Sequence, residues 1–271
     1  MIGRKMPHVV YRSFGVAGAA LGAAKKIDLT KTQKRDWANC HRGGRPPKDD
    51  RPMVTGIWYV LRTGIPWRDL PPQFGPWSSV YTRFRRWCAS GLWARLLAEL
   101  GAGAYGEIRS VDCSHIKIHQ DAANPAGGQT AQAMGRTKGG FNSKLAAVVD
   151  AVGRAVGLSL APGPQHDLRA CAPLMPHLDG KWVVGDKGFD SAAFRADLVR
   201  TGAMVCIPPR STRRTDYYFS RLLYKHRHTV ENFFCRIKRH RRIATRYEKL
   251  AVTFLGFVCL AAIIDWITHE V

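Results

Sequence analysis

The sequence predicts an α/β fold, a mixed sheet with flanking helices that is preceded by a small helical region. Two observations lead to this prediction. Before about residue 102, apolar residues recur mainly at helical spacing. Later in the 271-residue chain, segments rich in β-branched residues alternate with helical ones, which is typical of a mixed α/β order. The predicted regions are a poorly organised segment and linker at 1–45, a helical region at 46–102 and an α/β region at 103–271.

The helical region contains two predicted helices around a proline-rich turn. Apolar residues have helical spacing in 53–64 and again in 78–100, and the turn at 65–77 separates them. In the second helix, Arg83 and Arg86 lie away from the apolar residues. This pattern fits a helix-turn-helix-like DNA reader in which both arginines contact DNA, and it fits an ordinary small helical bundle equally well.

The α/β region begins with three strands, of which the second and third form a hairpin joined at Val152 and Gly153. A helix, a strand, a second helix, a strand and further helices follow. This order is that of the ribonuclease-H-like fold. The predicted strands are at 107–119, 144–153, 154–163, 182–185 and 203–209, and the predicted helices are at 167–178, at 191–202, around Glu231 and after 248.

The composition indicates a polyanionic partner. The formal net charge is +22, with 42 Lys and Arg against 20 Asp and Glu. Such an excess attracts nucleic acid, although a solvated basic surface and a ribosomal-type RNA binder also fit the charge alone. Hydrophobic residues make up 45% of the chain, and their patterning along its length argues against a disordered basic tail.

Cysteine usage and apolar runs bear on location. The seven cysteines are scattered without a C-x-x-C pair, which predicts reduced thiols in a cytoplasmic protein. With DNA as the expected partner, this location is nucleoid-associated. The longest apolar run, 250–264, is shorter than the about 20 residues that cross a bilayer, and Asp265 closes it. We therefore predict a buried terminal helix and no membrane partner.

Three acidic residues are the candidates for chemistry. Asp112 lies on the first strand of the α/β region, Asp186 directly follows the fourth strand, and Glu231 lies on a late helix. If the sheet pairs the first and fourth strands, Asp112 and Asp186 become neighbours at a sheet edge where sites form. Clustered carboxylates repel one another, and Mg²⁺ or Mn²⁺ neutralises them. Taken singly, each residue also fits an ordinary surface, turn or ion-pair role.

Glu231 shares a helix face with three further side chains. At roughly 100° per residue, Tyr224, Arg227 and Lys238 fall with it within an arc of about 60°. A phenol, a guanidinium and an ammonium beside a carboxylate suit a metal ligand flanked by groups that hold phosphate oxygens. Residues 221–249 contain ten Lys and Arg against two Glu, which predicts a track for a nucleic-acid backbone. Ordinary helix salt bridges explain this density less readily.

This spacing, Tyr-x2-Arg-x3-Glu-x6-Lys, resembles the signature around the third acidic residue of bacterial insertion-sequence transposases of the DDE class. It is specific because four residue types stand at fixed offsets. Three other stretches are similar to blocks of that family, namely 111-VDCSHIKIHQDA-122, 135-GRTKGGFNSKL-145 and 186-DKGFDS-191.

The resemblance covers roughly residues 44–268 and includes 66–87, which is similar to the amino-terminal helical region of a single-domain subgroup. Residues 1–43 depart from the helix that usually begins the family, although 29–33 is faintly similar to its start. The resemblance implies a ribonuclease-H-like catalytic core. Such a core cuts DNA at the inverted ends of a mobile element and joins them to target DNA.

The resemblance also implies roles for single residues. By position, Asp112, Asp186 and Glu231 would hold Mg²⁺ or Mn²⁺, in a site for two ions. The other signature residues, which are Tyr224, Arg227 and Lys238, would position the phosphodiester or the terminal bases.

We add the hypothesis that Arg136 and Lys144, in and after the glycine-rich loop, contact the DNA backbone. The implied partners are the terminal inverted repeats and the target duplex, with a homodimer when two ends are paired and no small-molecule substrate. Two alternatives stay open: a metal-dependent nuclease that joins no strands, and a catalytically decayed protein that only binds DNA.

Overall fold

The computed structural model describes residues 49–214 and 217–268. The predicted segment 1–45 lies outside the described residues. Contacts divide the described chain into two compact units, of which the smaller comprises 49–60 with 65–84 and the larger comprises 61–64 with residues 85 onward. The sequence-based boundary between 102 and 103 therefore falls inside the larger unit.

The two predicted helices of the helical region are present as α1 (Arg51–Thr63) and α2 (Trp77–Ala89). They are joined by a connection with two short 3₁₀ turns, which is longer than the ~3–4-residue turn of a helix-turn-helix. Within the smaller unit, the ring of Tyr59 lies 5.3 Å from the ring of Phe74. Gly56 is required beneath that contact, because a Cβ there would lie 2.9 Å from the Cβ of Phe74.

The predicted helix at 78–100 is in fact two helices. After α2, the chain turns at Gly91, whose φ of +69° lies in the left-handed region that glycine adopts without strain. A second helix, α3 (Leu92–Gly101), follows and buries Trp93 and Leu97. Helical periodicity on both sides of Gly91 concealed this break.

A seven-stranded mixed sheet organises the larger unit. The strands are β1 (Ile108–Ile118), β2 (Gly135–Thr137), β3 (Gly140–Val149), β4 (Ala155–Pro162), β5 (Trp182–Val184), β6 (Met204–Cys206) and β7 (Thr245–Arg246).

The strand order in this sheet is β2-β3-β1-β5-β6, with β4 paired to β3 and β7 paired to β1. Pairs β1–β3 and β3–β4 are antiparallel, and β1–β5 and β5–β6 are parallel. The predicted ribonuclease-H-like order is therefore confirmed.

One edge of β1 is only partly paired. Strand β5 pairs with residues Ile108 to Ser110, and β7 pairs with Lys117 and Ile118. Because β3 covers the opposite edge of β1, a gap remains between β5 and β7. Asp112 lies in this gap.

Helices cover the sheet. On the face that carries Val111, a buried cluster includes Phe189 and Leu198, and the other face packs against the helix that carries Glu231. The remaining helices are α4 (Asp167–Cys171), α5 (Ala192–Arg200), α6 (Arg221–Tyr224), α7 (His228–Ile237), α8 (Arg241–Ala244) and α9 (Ala251–Thr268).

Two predicted helices have a different form. The helix expected at 167–178 is α4 followed by a 3₁₀ segment, because Pro173 and Pro176 lack the N–H that an α-helix requires. The long basic helix expected around Glu231 is interrupted: α6, a 3₁₀ turn, α7 and α8 replace it, and β7 follows.

The terminal helix α9 is mostly apolar, with Asp265 near its end. Among the described residues it is the one helix long and apolar enough to cross a membrane, and 61% of it is buried inside the protein. Core helices meet the same criterion. Phe254, Phe257 and Val258 are fully buried, which agrees with the predicted buried terminal helix.

We expect Phe254→Ala to lower the free energy of unfolding by about 3–5 kcal/mol, because it opens a cavity under α9. Val252→Ala on the same helix is the control, since Val252 is 46% exposed and surface changes stay within about 0.5 kcal/mol. Urea unfolding followed by circular dichroism measures both. Equal effects of the two substitutions would contradict the packing of α9.

Candidate active site

The register of β1 and β5 brings two of the three predicted acidic residues together. Ser110 of β1 pairs with Val184 of β5 in the parallel ladder. Asp112 and Asp186 each lie two residues beyond this pair, so they stand at the same level of the sheet. The expected pairing of the first and fourth predicted strands is thus confirmed.

The carboxylate of Asp112 is half-buried. Its side chain is 21% exposed. Burial raises the pKa of Asp112 from 3.8 to about 6, with the N–H of Cys113 acting against it and the charge of Asp186 adding to it. Two smaller influences on this pKa are Arg227, which lowers it, and Glu231, which raises it. The charges of Asp186 and Glu231 therefore both reach Asp112 and raise its pKa.

Asp186 is held by the turn that follows β5. Its carboxylate accepts the N–H of Gly188 at 2.8 Å, which caps the 3₁₀ turn from Lys187 to Phe189. A Cβ on Gly188 would lie 2.8 Å from Oδ1 of Asp186. A side chain at the glycine of the block Asp-x-Gly-Phe would therefore displace this carboxylate.

Glu231 lies in the first turn of α7 and is joined to Asp112 through one guanidinium. Arg227 Nη2 lies 2.6 Å from Glu231 Oε1, and its Nη1 lies 3.7 Å from Asp112 Oδ2. Arg227 is thus the cation between the two carboxylates. In the part of the chain that the structure describes, no three acidic, histidine or cysteine side chains converge closely enough to hold a metal ion.

The other two signature residues flank this group. The Arg227 guanidinium lies 6.0 Å from the ring centre of Tyr224. Lys238, at the end of α7, donates to Oγ of Ser114 at 2.6 Å and to the carbonyl of His115 at 3.2 Å. Burial lowers the pKa of Lys238. Lys238 therefore ties α7 to β1, two residues beyond Asp112.

The two basic residues of the predicted DNA-contacting loop have different environments. Arg136 is exposed on β2, and its contact with DNA stays a prediction. Lys144 is buried, with its Nζ 2.5 Å from Asp167 and also bonded to the carbonyl of Gln165. A side chain in this position does not reach a DNA backbone, so the placement of Lys144 argues against our hypothesis and indicates a structural ion pair.

Only some of the basic residues predicted to form a track at 221–249 lie on the surface. Arg236 pairs with Asp265 at 2.7 Å, and Arg246 is fully buried. A count of charged residues in the sequence does not distinguish buried ion pairs from solvated side chains. The exposed members are Arg221, Lys225, Arg239, Arg241 and Lys249.

The arginines of α2 lie outside the sheet. Arg83 is partly exposed and pairs with Asp50 at 3.2 Å. Arg86, one turn further, is exposed. Their proposed contact with DNA stays a prediction.

A second acidic centre escaped the sequence-based reasoning. Asp190 is fully buried and accepts from Arg195 and Arg213 at 2.8 Å each, and from the N–H of Arg210 at 2.8 Å. Burial would raise the pKa of Asp190, but these hydrogen bonds outweigh it and lower the pKa to about 2. The signal was its place in the block 186-DKGFDS-191, four residues after Asp186.

Comparisons with known proteins identify the family. The family described as "Transposase DDE domain" matches residues 106–266, and "Putative transposase of IS4/5 family" matches 30–97. The chain belongs to the DDE transposases, enzymes that cleave and transfer DNA. Within them it is a transposase of a bacterial insertion sequence. The match from residue 30 extends the resemblance upstream of the expected start at 44.

Two curated relatives support the same family. The chain is 37% identical over 131 residues to "Putative transposase for insertion sequence element IS6501" of Brucella ovis, covering 47% of this chain and 99% of that protein. It is 43% identical over 82 residues to "Insertion element IS402 uncharacterized 16.2 kDa protein" of Burkholderia cepacia, covering 27% of this chain and 56% of that protein.

Solved structures with partial similarity are complexes of Mos1 transposase. The paired-end complex with the left transposon end is 15% identical, covers 87% of this chain and 85% of its own, and has a TM-score of 0.22. The mariner paired-end complex with Mn is 13% identical, covers 88% and 100%, and has a TM-score of 0.23. At such TM-scores the chains do not superpose closely, and the fold class rests on the strand order and the family.

We expect Asp112→Asn to raise the free energy of unfolding in a pH-dependent way. The pKa is about 6 in the folded protein and near 3.8 when unfolded, so between these values the unfolded chain holds fewer protons and stability falls as pH rises. The substitution removes this penalty, on the order of 3 kcal/mol above pH ~6 and vanishing below pH ~4, because one pKa unit corresponds to about 1.4 kcal/mol. Urea unfolding in EDTA, carried out once above pH ~6 and once below pH ~4, measures this difference in stability.

The control for this prediction is Asp179→Asn, which changes an exposed carboxylate. A gain in stability for Asp112→Asn that is the same at both pH values would contradict the raised pKa.

We expect Gly188→Ala to reduce DNA cleavage by roughly 100-fold, because the new Cβ displaces the Asp186 carboxylate and misplacement near 1 Å has effects of this size. Thermal unfolding should change little, since Gly188 is half-buried in a turn. Gly103→Ala is the matched control, because its Cβ meets its nearest atom at an ordinary 3.4 Å. Unaltered cleavage in Gly188→Ala would contradict the steric requirement.

Proposed function

We propose that Asp112, Asp186 and Glu231 bind two Mg²⁺ or Mn²⁺ ions with which the protein cuts the inverted ends of an insertion sequence and transfers them to target DNA. The parallel register of β1 and β5 is the observation that carries this proposal, because it sets two carboxylates at one level beside a gap in the sheet. Helix α7 supplies the third carboxylate.

The chemistry of the donor set, rather than the spacing of its side chains without an ion, fits a hard divalent cation. Carboxylate oxygens are the ligands that Mg²⁺ and Mn²⁺ favour. Burial raises the pKa of Asp112 and the charge of Asp186 raises it further, so a bound cation would stabilise the ionised carboxylate. Arg227 already offers one positive charge to Asp112 and Glu231, so this space accepts a cation. When bound, such ions activate an attacking oxygen and stabilise the leaving oxygen of a phosphodiester.

The neighbouring side chains then position the substrate. Arg227 would bind phosphate oxygens of the substrate, for which its planar donors are suited. Tyr224 lies beside Arg227 and contributes a phenol to the same face. Lys238 is held by Ser114 at the far end of α7, where its ammonium faces the same strand as Asp112.

The exposed basic residues extend the contact with DNA. Arg136 on β2 and the exposed arginines and lysines of 221–249 attract a phosphate backbone without reading sequence. Arg83 and Arg86 of α2 supply a separate contact with the terminal repeats. Because two ends are cut and joined together, the acting form is a homodimer.

We expect Asp112→Ala, Asp186→Ala and Glu231→Ala each to abolish cleavage, by at least about 1,000-fold, while end binding persists. The substrate is DNA carrying the inverted repeats that flank the coding region, with Mg²⁺ or Mn²⁺. Asp179→Ala, which removes an exposed carboxylate, is the control. Undiminished cleavage in any of the three variants removes that residue from the proposed site.

The products separate the alternatives. Joining of a freed 3′-OH to a second duplex supports the transposase reaction, whereas cleavage without joining identifies a nuclease. Sequence-specific binding that ignores both divalent ions and the three substitutions identifies a protein that only binds DNA.

A further inference from the structure

We infer that Arg210 is a positioning residue for Asp186, and this inference rests on the proposed function of Asp186 as a metal ligand. Arg210 lies in the loop after β6, beside the turn that follows β5. Its side chain is directed at the backbone of that turn. No signature of the sequence includes it.

The guanidinium of Arg210 spans the Asp186 turn. Nε donates to the carbonyl of Lys187 at 3.0 Å, and Nη2 donates to the carbonyl of Gly188 at 2.9 Å. Gly188 is also the residue whose N–H binds the Asp186 carboxylate. One side chain therefore holds the carbonyl of the peptide group whose N–H orients the acid, and also the carbonyl of the next peptide group. Hydrogen bonds from a charged donor are stronger than neutral ones.

The backbone of Arg210 is held by hydrogen bonds as its guanidinium is. Its backbone N–H donates to Asp190 at 2.8 Å. Asp190 also binds Arg195 of α5 and Arg213 at 2.8 Å each, and Arg195 reaches the carbonyl of Ile207 at 2.7 Å. The loop 207–213 is thus anchored to a buried carboxylate four residues after Asp186. Arg210 transmits this anchoring to the turn itself.

Arg210 differs in this respect from its neighbour Arg214. Both are exposed residues of the same loop, and both carry one positive charge. The side-chain contacts of Arg210 are to backbone carbonyls, so its guanidinium stabilises the turn after β5. Substitution of an exposed side chain leaves the core intact. Arg214→Ala is therefore a matched control that removes the same charge from the same loop.

The test compares Arg210→Ala, Arg210→Lys and Arg214→Ala in the full chain. Hydrogen exchange of the peptide 186–190, followed by mass spectrometry without metal, reports the turn directly. We expect at least about tenfold faster exchange in Arg210→Ala, an intermediate rate in Arg210→Lys, whose ammonium replaces part of the contact, and no change in Arg214→Ala.

Calorimetric titration with Mn²⁺ then reports the consequence for the site. We expect Arg210→Ala to weaken Mn²⁺ binding about tenfold and Arg214→Ala to leave it unchanged. Affinity for end DNA, measured at two salt concentrations, should change equally in both variants, because each loses one charge.

The outcomes distinguish this inference from the proposed function. If exchange in Arg210→Ala matches that in Arg214→Ala, Arg210 does not hold the turn. The inference also fails if Arg210→Ala loses more DNA affinity than Arg214→Ala while exchange is unchanged, because Arg210 is then a phosphate contact. If Asp186→Ala binds Mn²⁺ as well as the unaltered protein, the proposed metal site fails, whereas hydrogen exchange still decides the role of Arg210.

Discussion

The parallel pairing of β1 with β5 is the constraint on which the site depends. This register sets Asp112 and Asp186 at one level, and β7 resumes the pairing of β1 only at Lys117. The sheet is therefore open where the carboxylates stand. Two acids held so near a partly buried edge are unfavourable unless a cation accompanies them, and the ion pairs of Arg227 supply one within the chain. In the proposed site, the same unfavourable charge would favour binding of a divalent ion.

A second layer of contacts keeps the acids in place. The Asp186 turn is held by the amide of Gly188 from within and by Arg210 from outside. On β1, Ser114 binds Lys238 and so fixes the far end of α7. For the proposed metal site, rigid support of this kind matters because metal ligands act only within narrow limits of geometry. The support comes from backbone groups and long basic side chains, which leaves the acids themselves exposed to the gap.

The excess of positive charge serves two purposes. Part of it is internal: Arg236 binds Asp265, Lys144 binds Asp167, and Arg246 is fully enclosed. Such buried cations require partners because an unpaired charge is costly away from water. The rest remains on the surface and gives the protein its attraction for a phosphate backbone. Net charge alone therefore overstates the surface available to DNA.

The sequence by itself determined the order of strands and helices, the three acids and the signature around Glu231, because alternating and helical periodicities and fixed spacings are local properties. Gly91 ended α2 early, and Pro173 and Pro176 made a 3₁₀ segment of an expected helix, which periodicity conceals. Only the tertiary structure decided that Lys144 is buried against Asp167 and that Asp190 gathers three arginines. It alone set Arg227 between two of the acids, because burial and ion pairing depend on which distant segments meet.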